Sequence, residues 1–342
     1  MTELIKGNQA SKERDLNILS EDIKKPKLGL QLKIEKFFSK KRFRIALDTG
    51  TISFFIFLII GPLLMLITSV VMNWDEITTS IFNHPIKGNR DWEMIGTALG
   101  RSFLISGTAT LIDLGIGLPM AFILTRYEFK GKKILDTLVD LPMAVPTSAL
   151  GFSLYLFWGT DMGLSGLFGA ESGLLSNGFW LIVLTHVAFT YPFIVRNLKV
   201  VFQETSKKYE DAAKTLGAPG FTIFRTITMP LAKEGLIAGT ILAFTRSLGE
   251  TGATLIVAGL FQTAPIMVVT LREQIRFPTA AFLSMILIII SIILLMLIRF
   301  MSRKVGFPIQ KVFPKFERKL SNKTTRSIRN SFGLVLFLVI VL

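Results

Sequence analysis

The chain has 342 residues, of which 50% are apolar and only 18% charged, with a mean hydropathy of +0.53; a soluble domain carries about a quarter charged residues, so water-soluble and disordered classes are both excluded. Zero cysteine removes disulfide scaffolds, thiolate metal sites and cysteine nucleophiles, and two histidines leave little for zinc or a histidine-dependent triad. The net charge of +15 would point to nucleic acid in a soluble protein, but here its placement along the chain decides its meaning.

Residues 1–46 are polar and mixed in charge, without the apolar core of a signal peptide, and are expected to form a cytoplasmic N-terminal tail. Over 29–46, Leu32, Phe37, Phe38 and Phe43 stand among lysines and arginines, a pattern that fits an amphipathic helix on the inner leaflet. Six nearly uncharged runs follow, over 51–72, 103–124, 137–158, 179–195, 235–260 and 280–300. Each is near the roughly 20 residues that a helix needs to cross a bilayer. The alternation that barrel strands require is absent. The expected fold is an all-α membrane protein with six transmembrane helices within 47–305.

Lys and Arg number 12 in the first tail, 4 in 126–133, 7 in 196–233 and 10 in 299–329, so 33 of the 39 fall on one side of a six-span protein. By the positive-inside rule that side is cytoplasmic, which puts both ends of the unit inside the cell. The basic excess thus means orientation in the cell membrane and contact with lipid headgroups, and no nucleic-acid partner is expected. The last segment, 306–342, is basic and ends in the apolar run Ser331–Leu342, about 18 Å as a helix against a hydrocarbon core of roughly 30 Å. Its order of basic segment and apolar run repeats that of Lys40–Ile60. The expectation is the start of a second copy of the six-span unit, with an interfacial anchor as the alternative.

The longest loop between spans on the basic side, 196–233, reads RNLKVVFQETSKKYEDAAKTLGAPGFTIFRTITMPLAK. A helix over Glu204–Leu216, punctuation at Gly217 and Pro219, and a second short helix over Phe221–Thr228 that Pro230 ends make a helix-turn-helix pattern. Ala212 and Ala213 permit close approach of another surface, and Gly217 allows a backbone angle that a Cβ resists. An ordinary helical hairpin would explain this shape but not the spacing. Asp211-Ala212-Ala213, Gly217, Ile227, Met229 and Pro230 resemble the signature of permease subunits of bacterial and archaeal ABC importers: Glu-Ala-Ala, three residues, Gly, nine residues, Ile, one residue, Leu-Pro. Every spacing is met, with Asp211 in place of Glu, Met229 in place of Leu, and Glu210 one residue earlier. The resemblance implies a six-helix permease whose cytoplasmic coupling-helix loop docks on the ATP-hydrolysing subunit, with Asp211, Ala212, Ala213 and Gly217 forming the contact and Glu210, Ile227 and Pro230 completing the ATPase-coupling residues.

Three further stretches resemble the sulfate and molybdate branch of that family: Val139-Asp140-Leu141-Pro142 through Pro146-Thr147, Tyr191-Pro192-Phe193-Ile194-Val195-Arg196, and Arg246-Ser247-Leu248-Gly249-Glu250-Thr251-Gly252-Ala253-Thr254. The last is shared, with variations, by molybdate, tungstate and phosphate permeases. Counted from Lys233, Arg246 and Glu250 lie about 20 Å into the fifth span. A charge there is costly unless paired or wetted, and spacing i, i+4 would let the two pair on one helix face. They read either as a structural ion pair or as part of the translocation path, Arg246 lowering the barrier for an anion and Glu250 holding a gate. Asp113 needs a partner and reads as a hydrogen-bonded packing group. Asp140 sits near the inner interface, where water reaches it. His186 reads as a satisfied polar group rather than a proton carrier. Pro142, Pro146 and Pro192 are expected to break the helical ladder.

The chain has no Gly-x-x-x-x-Gly-Lys-Ser/Thr phosphate loop and no cluster with metal-ligand spacing, so no catalysis, cofactor or metal is expected of it. ATP and Mg belong, on this reading, to a partner ATPase dimer. A second permease domain, from a homodimer or a related chain, and an extracytoplasmic oxyanion-binding protein seated on 73–100 and 259–279 complete the expected partners within the lipid bilayer. A secondary anion transporter would also bury charges, but it has no need of an exposed Ala-Ala-x-x-x-Gly helix. The function expected is the pore-forming subunit of an ATP-driven importer for a tetrahedral oxyanion, sulfate or thiosulfate, with molybdate, tungstate or phosphate as the alternative.

Overall fold

The computed structural model describes residues 38, 41–86, 89–205 and 207–304. The amphipathic helix expected over 29–46 lies outside those residues except for Phe38 and the last six positions, and the segment 306–342 lies wholly outside them.

A first unit, which ends at Thr68, contains α1 (Lys41–Phe55), a π-turn over Ile56–Ile60 and the opening of α2 (Gly61–Met72). The run Ile45–Met72 is one of five helices long and apolar enough to cross a membrane. Pro62 does not interrupt it. In the π-turn the Gly61 N–H reaches back to the Ile56 carbonyl, and this wider turn accommodates a proline that has no N–H to give.

The second unit begins at Ser69. It holds α3 (Trp74–Ile77) with a π-turn over Thr78–Phe82, α4 (Arg90–Arg126), α5 (Lys132–Ala144), α6 (Thr147–Gly159), α7 (Phe179–Glu204), α8 (Lys208–Thr215), α9 (Gly220–Ile223) with a π-turn over Phe224–Thr228, α10 (Met229–Leu248), α11 (Gly252–Val257), α12 (Ala264–Glu273) and α13 (Phe277–Lys304). Helices are the only open-ended way to satisfy the backbone in hydrocarbon, which is why these apolar runs coil. The central element is α7, with α4 and α10 packed along it. The approach is set by glycine: a Cβ on Gly239 would lie 2.9 Å from the Ile194 Cα, and one on Gly235 would lie 2.8 Å from the Asn197 carbonyl oxygen. Such close packing is the main cohesive force between helices where no water drives burial. The resulting core includes Met120, Leu181, Tyr191, Leu198 and Phe202. A separate core gathers Ile77, Ile81, Ile95, Met267 and Leu283.

Several expected boundaries are corrected. The second span begins at Arg90, not near 103, because its first turns are polar and fall below a hydropathy threshold; its 37 residues are about 55 Å long. The third span is two helices, α5 and α6, bent by 110°. Val145 is extended there because the Pro146 ring excludes the helical region for the residue before it. Pro142 and Pro192 lie inside helices and break neither. The fifth span stops at Leu248 and resumes at Gly252, so Arg246 and Glu250 do not share a helix face. Below it, α9, the π-turn and α10 form one helix from Gly220 to Leu248. Pro230 does not end it, for the same reason as at Pro62: the Met229 N–H reaches the Phe224 carbonyl across the π-turn.

Candidate functional site

The loop helix is shorter than its sequence pattern, because Glu204 closes α7 and Thr205 is extended. What remains, α8, ends in a Schellman motif: the Ala218 N–H donates to the Ala213 carbonyl at 3.0 Å and the Gly217 N–H to the Lys214 carbonyl at 2.9 Å. Gly217 takes φ +79°, a conformation that a Cβ disfavours. Asp211, Ala212 and Gly217 are exposed on one stretch of surface and Ala213 is half-buried. Tyr209 and Leu216, 62% and 88% exposed, flank them. These two apolar groups were not picked out by the motif, although spacing i, i+7 on a polar helix puts them on one face. The Asp211 carboxylate is held below the usual carboxylate range, first by the hydrogen bond from Lys214 at 2.8 Å. Ile227 and Pro230 are half-buried on the π-turn and the start of α10.

Glu210 does not join that surface. Its side chain is buried, and its Oε1 accepts Arg126 Nε at 3.1 Å and Thr228 Oγ1 at 3.2 Å, with Arg126 Nη2 at 2.9 Å. Arg126 also donates to the Phe202 carbonyl at 3.0 Å and to the Thr205 carbonyl at 3.4 Å. One guanidinium thus joins the ends of α4 and α7 to α8, and Glu210 passes the link to the π-turn below α10. In the sequence Arg126 is only a charge that closes a span.

A second polar assembly lies within the helices. Arg246 Nη1 is 2.5 Å from Glu250 Oε2, and the guanidinium lies 5.2 Å from the Phe189 ring centroid. The Arg246 side chain is 39% exposed and that of Glu250 is 4% exposed. Glu250 also accepts the Ala253 N–H at 3.1 Å, so the carboxylate that neutralises Arg246 caps the first turn of α11. Ring nitrogens of His186 lie 2.7 Å from Ser247 Oγ and 2.9 Å from Thr254 Oγ1, which satisfies both. The Thr190 hydroxyl donates to Asp113 Oδ2 at 2.5 Å, while Asp113 Oδ1 has no partner among the described residues. Asp140 pairs with Arg196, and Asp136 is 2.5 Å from Lys199 Nζ.

These contacts draw the three branch-like stretches together. The Tyr191 hydroxyl donates to the Val139 carbonyl at 3.1 Å and Arg196 grips Asp140, which joins the first stretch to the second. The third meets α7 just before the second, where Arg246 faces Phe189, and it meets the first where a Cβ on Gly252 would lie 3.3 Å from Thr147 Oγ1. Among the described residues no group of acids or histidines is placed to hold a metal.

Comparison with known proteins gives consistent matches. The family described as "Binding-protein-dependent transport system inner membrane component" matches residues 114–306. The sulfate transport system permease protein CysT of Salmonella typhimurium is 32% identical over 270 residues, covering 76% of this chain and 93% of that protein. The molybdenum transport system permease protein ModB of Escherichia coli is 37% identical over 159 residues, 45% of this chain and 68% of that protein. Among solved structures, a bacterial ABC transporter involved in the import of the acidic polysaccharide alginate has a chain that superimposes with a TM-score of 0.61 at 14% identity, over 80% of this chain and 99% of that one.

Proposed function

Because the chain belongs to the binding-protein-dependent transport system inner membrane component family, and is therefore a multi-pass inner-membrane permease subunit of an ABC importer rather than an enzyme, we propose that it forms one half of the path of an ATP-driven importer for sulfate or thiosulfate. The sulfate permeases matched over most of their length support that ion. The shorter, more identical match to a molybdenum permease favours molybdate as the second reading. In this reading the whole of 47–305 is one permease domain, its α8 end faces the cytoplasm, and 1–46 precedes it on the same side, as the positive-inside count supports.

The observation that carries the coupling assignment is the exposed, small-residue surface of α8, stopped by Gly217 in the left-handed region. A partner ATPase, holding ATP and Mg, docks on Asp211, Ala212, Ala213 and Gly217, with Tyr209 and Leu216 as apolar anchors. Glu210 works behind that surface: through Arg126 and Thr228 it passes the movement of α8 to α4, α7 and α10. Ile227 and Pro230 belong to the receiving end. At the far end of the same helix, Arg246 offers a half-exposed cation to a passing anion, and Glu250 limits its charge and holds the α10–α11 break. A second permease domain completes the pore, and an extracytoplasmic binding protein supplies substrate.

The test is uptake of labelled sulfate into proteoliposomes holding this chain with its candidate ATPase and binding protein, with and without ATP, in competition with thiosulfate, molybdate, tungstate and phosphate. ATP-dependent uptake blocked by sulfate and thiosulfate alone is expected. Block by molybdate alone replaces the ion, and uptake that ignores ATP but follows a proton gradient overturns the coupling assignment.

A further inference from the structure

At the end of α4 remote from α8, Arg90, Glu93, Met94, Thr97 and Arg101 line an open crevice of about 360 Å³, and Gln262 closes it from the loop between α11 and α12. A single water's share of the liquid is about 30 Å³, so a hydrated ion fits. Arginines 126, 196, 246 and 276 each hold a carboxylate. Arg90 and Arg101 form no ion pair among the described residues, although Glu93 stands in the same wall. Glu93 leaves the crevice net positive but not strongly so, as a site must be if an ion is to leave it again.

The crevice is also built to keep its shape. The Arg101 guanidinium lies 4.8 Å from the centroid of Phe261, which fixes it and shields one face from water while its N–H edges remain free to donate. The loop that supplies Phe261 and Gln262 turns at Gly259, φ +57°, and is tied to the next residue of α4 by the Ala264 N–H, which donates to Ser102 Oγ at 2.8 Å. Just behind, Thr263 is 3% exposed and its hydroxyl has no partner among the described residues. Ser102, Ser247, His186 and Glu250 stand with it around a gap too tight to admit a water, so the crevice is closed at its back. An open hollow, two guanidiniums that form no ion pair among the described residues and a primary amide make a donor set for a small multivalent oxyanion.

We infer that this crevice is the outer reception seat for the transported oxyanion, with Arg101 as its main ligand and Arg90 and Gln262 beside it. The inference rests on the oxyanion-import reading and adds the place where the ion is first held by the permease. Two tetrahedral oxygens meet the donor edge of Arg101, the amide of Gln262 donates to a third, and Arg90 supplies charge at the rim.

The chain has no cysteine, so Thr97→Cys places a single thiol in the crevice. It removes no ligand, because the Thr97 hydroxyl is engaged with the Glu93 carbonyl at 2.9 Å. In the purified full chain in nanodiscs, a sulfonate-bearing methanethiosulfonate should react with that thiol roughly tenfold faster than an ammonium-bearing one, and sulfate should slow the reaction. Adding Arg101→Gln should abolish both effects. Adding Arg101→Lys should keep the preference for the anionic reagent and lose much of the protection by sulfate. Equal rates for the two reagents, no effect of sulfate, or effects that survive Arg101→Gln would overturn the seat. Protection by the binding protein but not by sulfate would also overturn it, since the crevice would then be a protein contact. Uptake by the complete complex, measured in parallel, separates the two levels. ATP-driven sulfate uptake without protection at Thr97→Cys sinks the seat and leaves the import reading. Protection by molybdate alone keeps the seat and changes the ion.

Discussion

Gly217 stands at φ +79° with no heavy atom near the position a Cβ would take, so substitution there has two separable costs. Gly217→Ala meets only the backbone penalty, about 1–2 kcal/mol for a left-handed residue with a Cβ. Insertion should be unaffected and ATP-driven uptake reduced a few-fold in proteoliposomes. Gly217→Arg adds a long cation on the surface offered to the ATPase, and should leave the chain inserted but abolish uptake. Uptake at the wild-type rate in that variant would remove the docking assignment. Asp211 beside it, held ionised below the usual carboxylate range by Lys214, keeps its charge to lower pH than a free aspartate. Arg246 calls for the reverse comparison of transport against assembly. Arg246→Ala leaves Glu250 buried without its cation, so complex yield by size exclusion must be read together with uptake. A fall in uptake greater than the fall in yield is expected if the guanidinium serves the anion. Equal falls would mean that the pair only holds α10 against α11.

The Arg126–Glu210 pair decides the behaviour of whole elements. Both side chains are almost out of solvent, 9% and 6% exposed, so removing one partner strands the other at about 3–5 kcal/mol. We expect Arg126→Glu and Glu210→Arg singly to lower the melting temperature and to uncouple ATP hydrolysis from uptake, and the double exchange to restore a substantial part of both. Failure of the exchange to recover coupling while stability recovers would show a brace and not a transmission. None of this was legible in the sequence, where 84 positions separate the partners and Glu210 is only the residue before the motif. The shape of the α8 end was legible because its information is local: a helical stretch, two small residues and a glycine stop. The breaks were half legible. Pro146 announces a bend but not its 110°, and the gap at Gly249–Thr251 is invisible to hydropathy, which averages apolarity and is blind to the hydrogen-bond ladder. The early start of α4 was missed for the opposite reason, since Arg90, Asp91 and Glu93 are polar yet helical.

For the molecule as a whole, the apolar runs foretold the all-helical membrane architecture, because lipid permits so few solutions. What a single chain could not announce is how its three branch-like stretches meet on α7, a tertiary arrangement written in no local pattern. On the proposed function the polar groups that meet there, Arg246 above all, line one side of a path that a second permease domain completes. Purified complex should therefore contain two permease domains for every two ATPase subunits, by native mass spectrometry. A complex with one permease domain that still transports would refute this. The helix from Gly220 to Leu248 has a mechanical meaning for such a pair. Its 29 residues form a rod about 43 Å long with no loop to absorb a push. Its one compliant joint is the π-turn at Phe224–Thr228, seated against Glu210 through Thr228. If α8 couples to an ATPase as proposed, a stroke delivered there would reach Arg246 with its amplitude fixed by leverage at the joint, and slack in that one turn of helix would become lost travel at the far end.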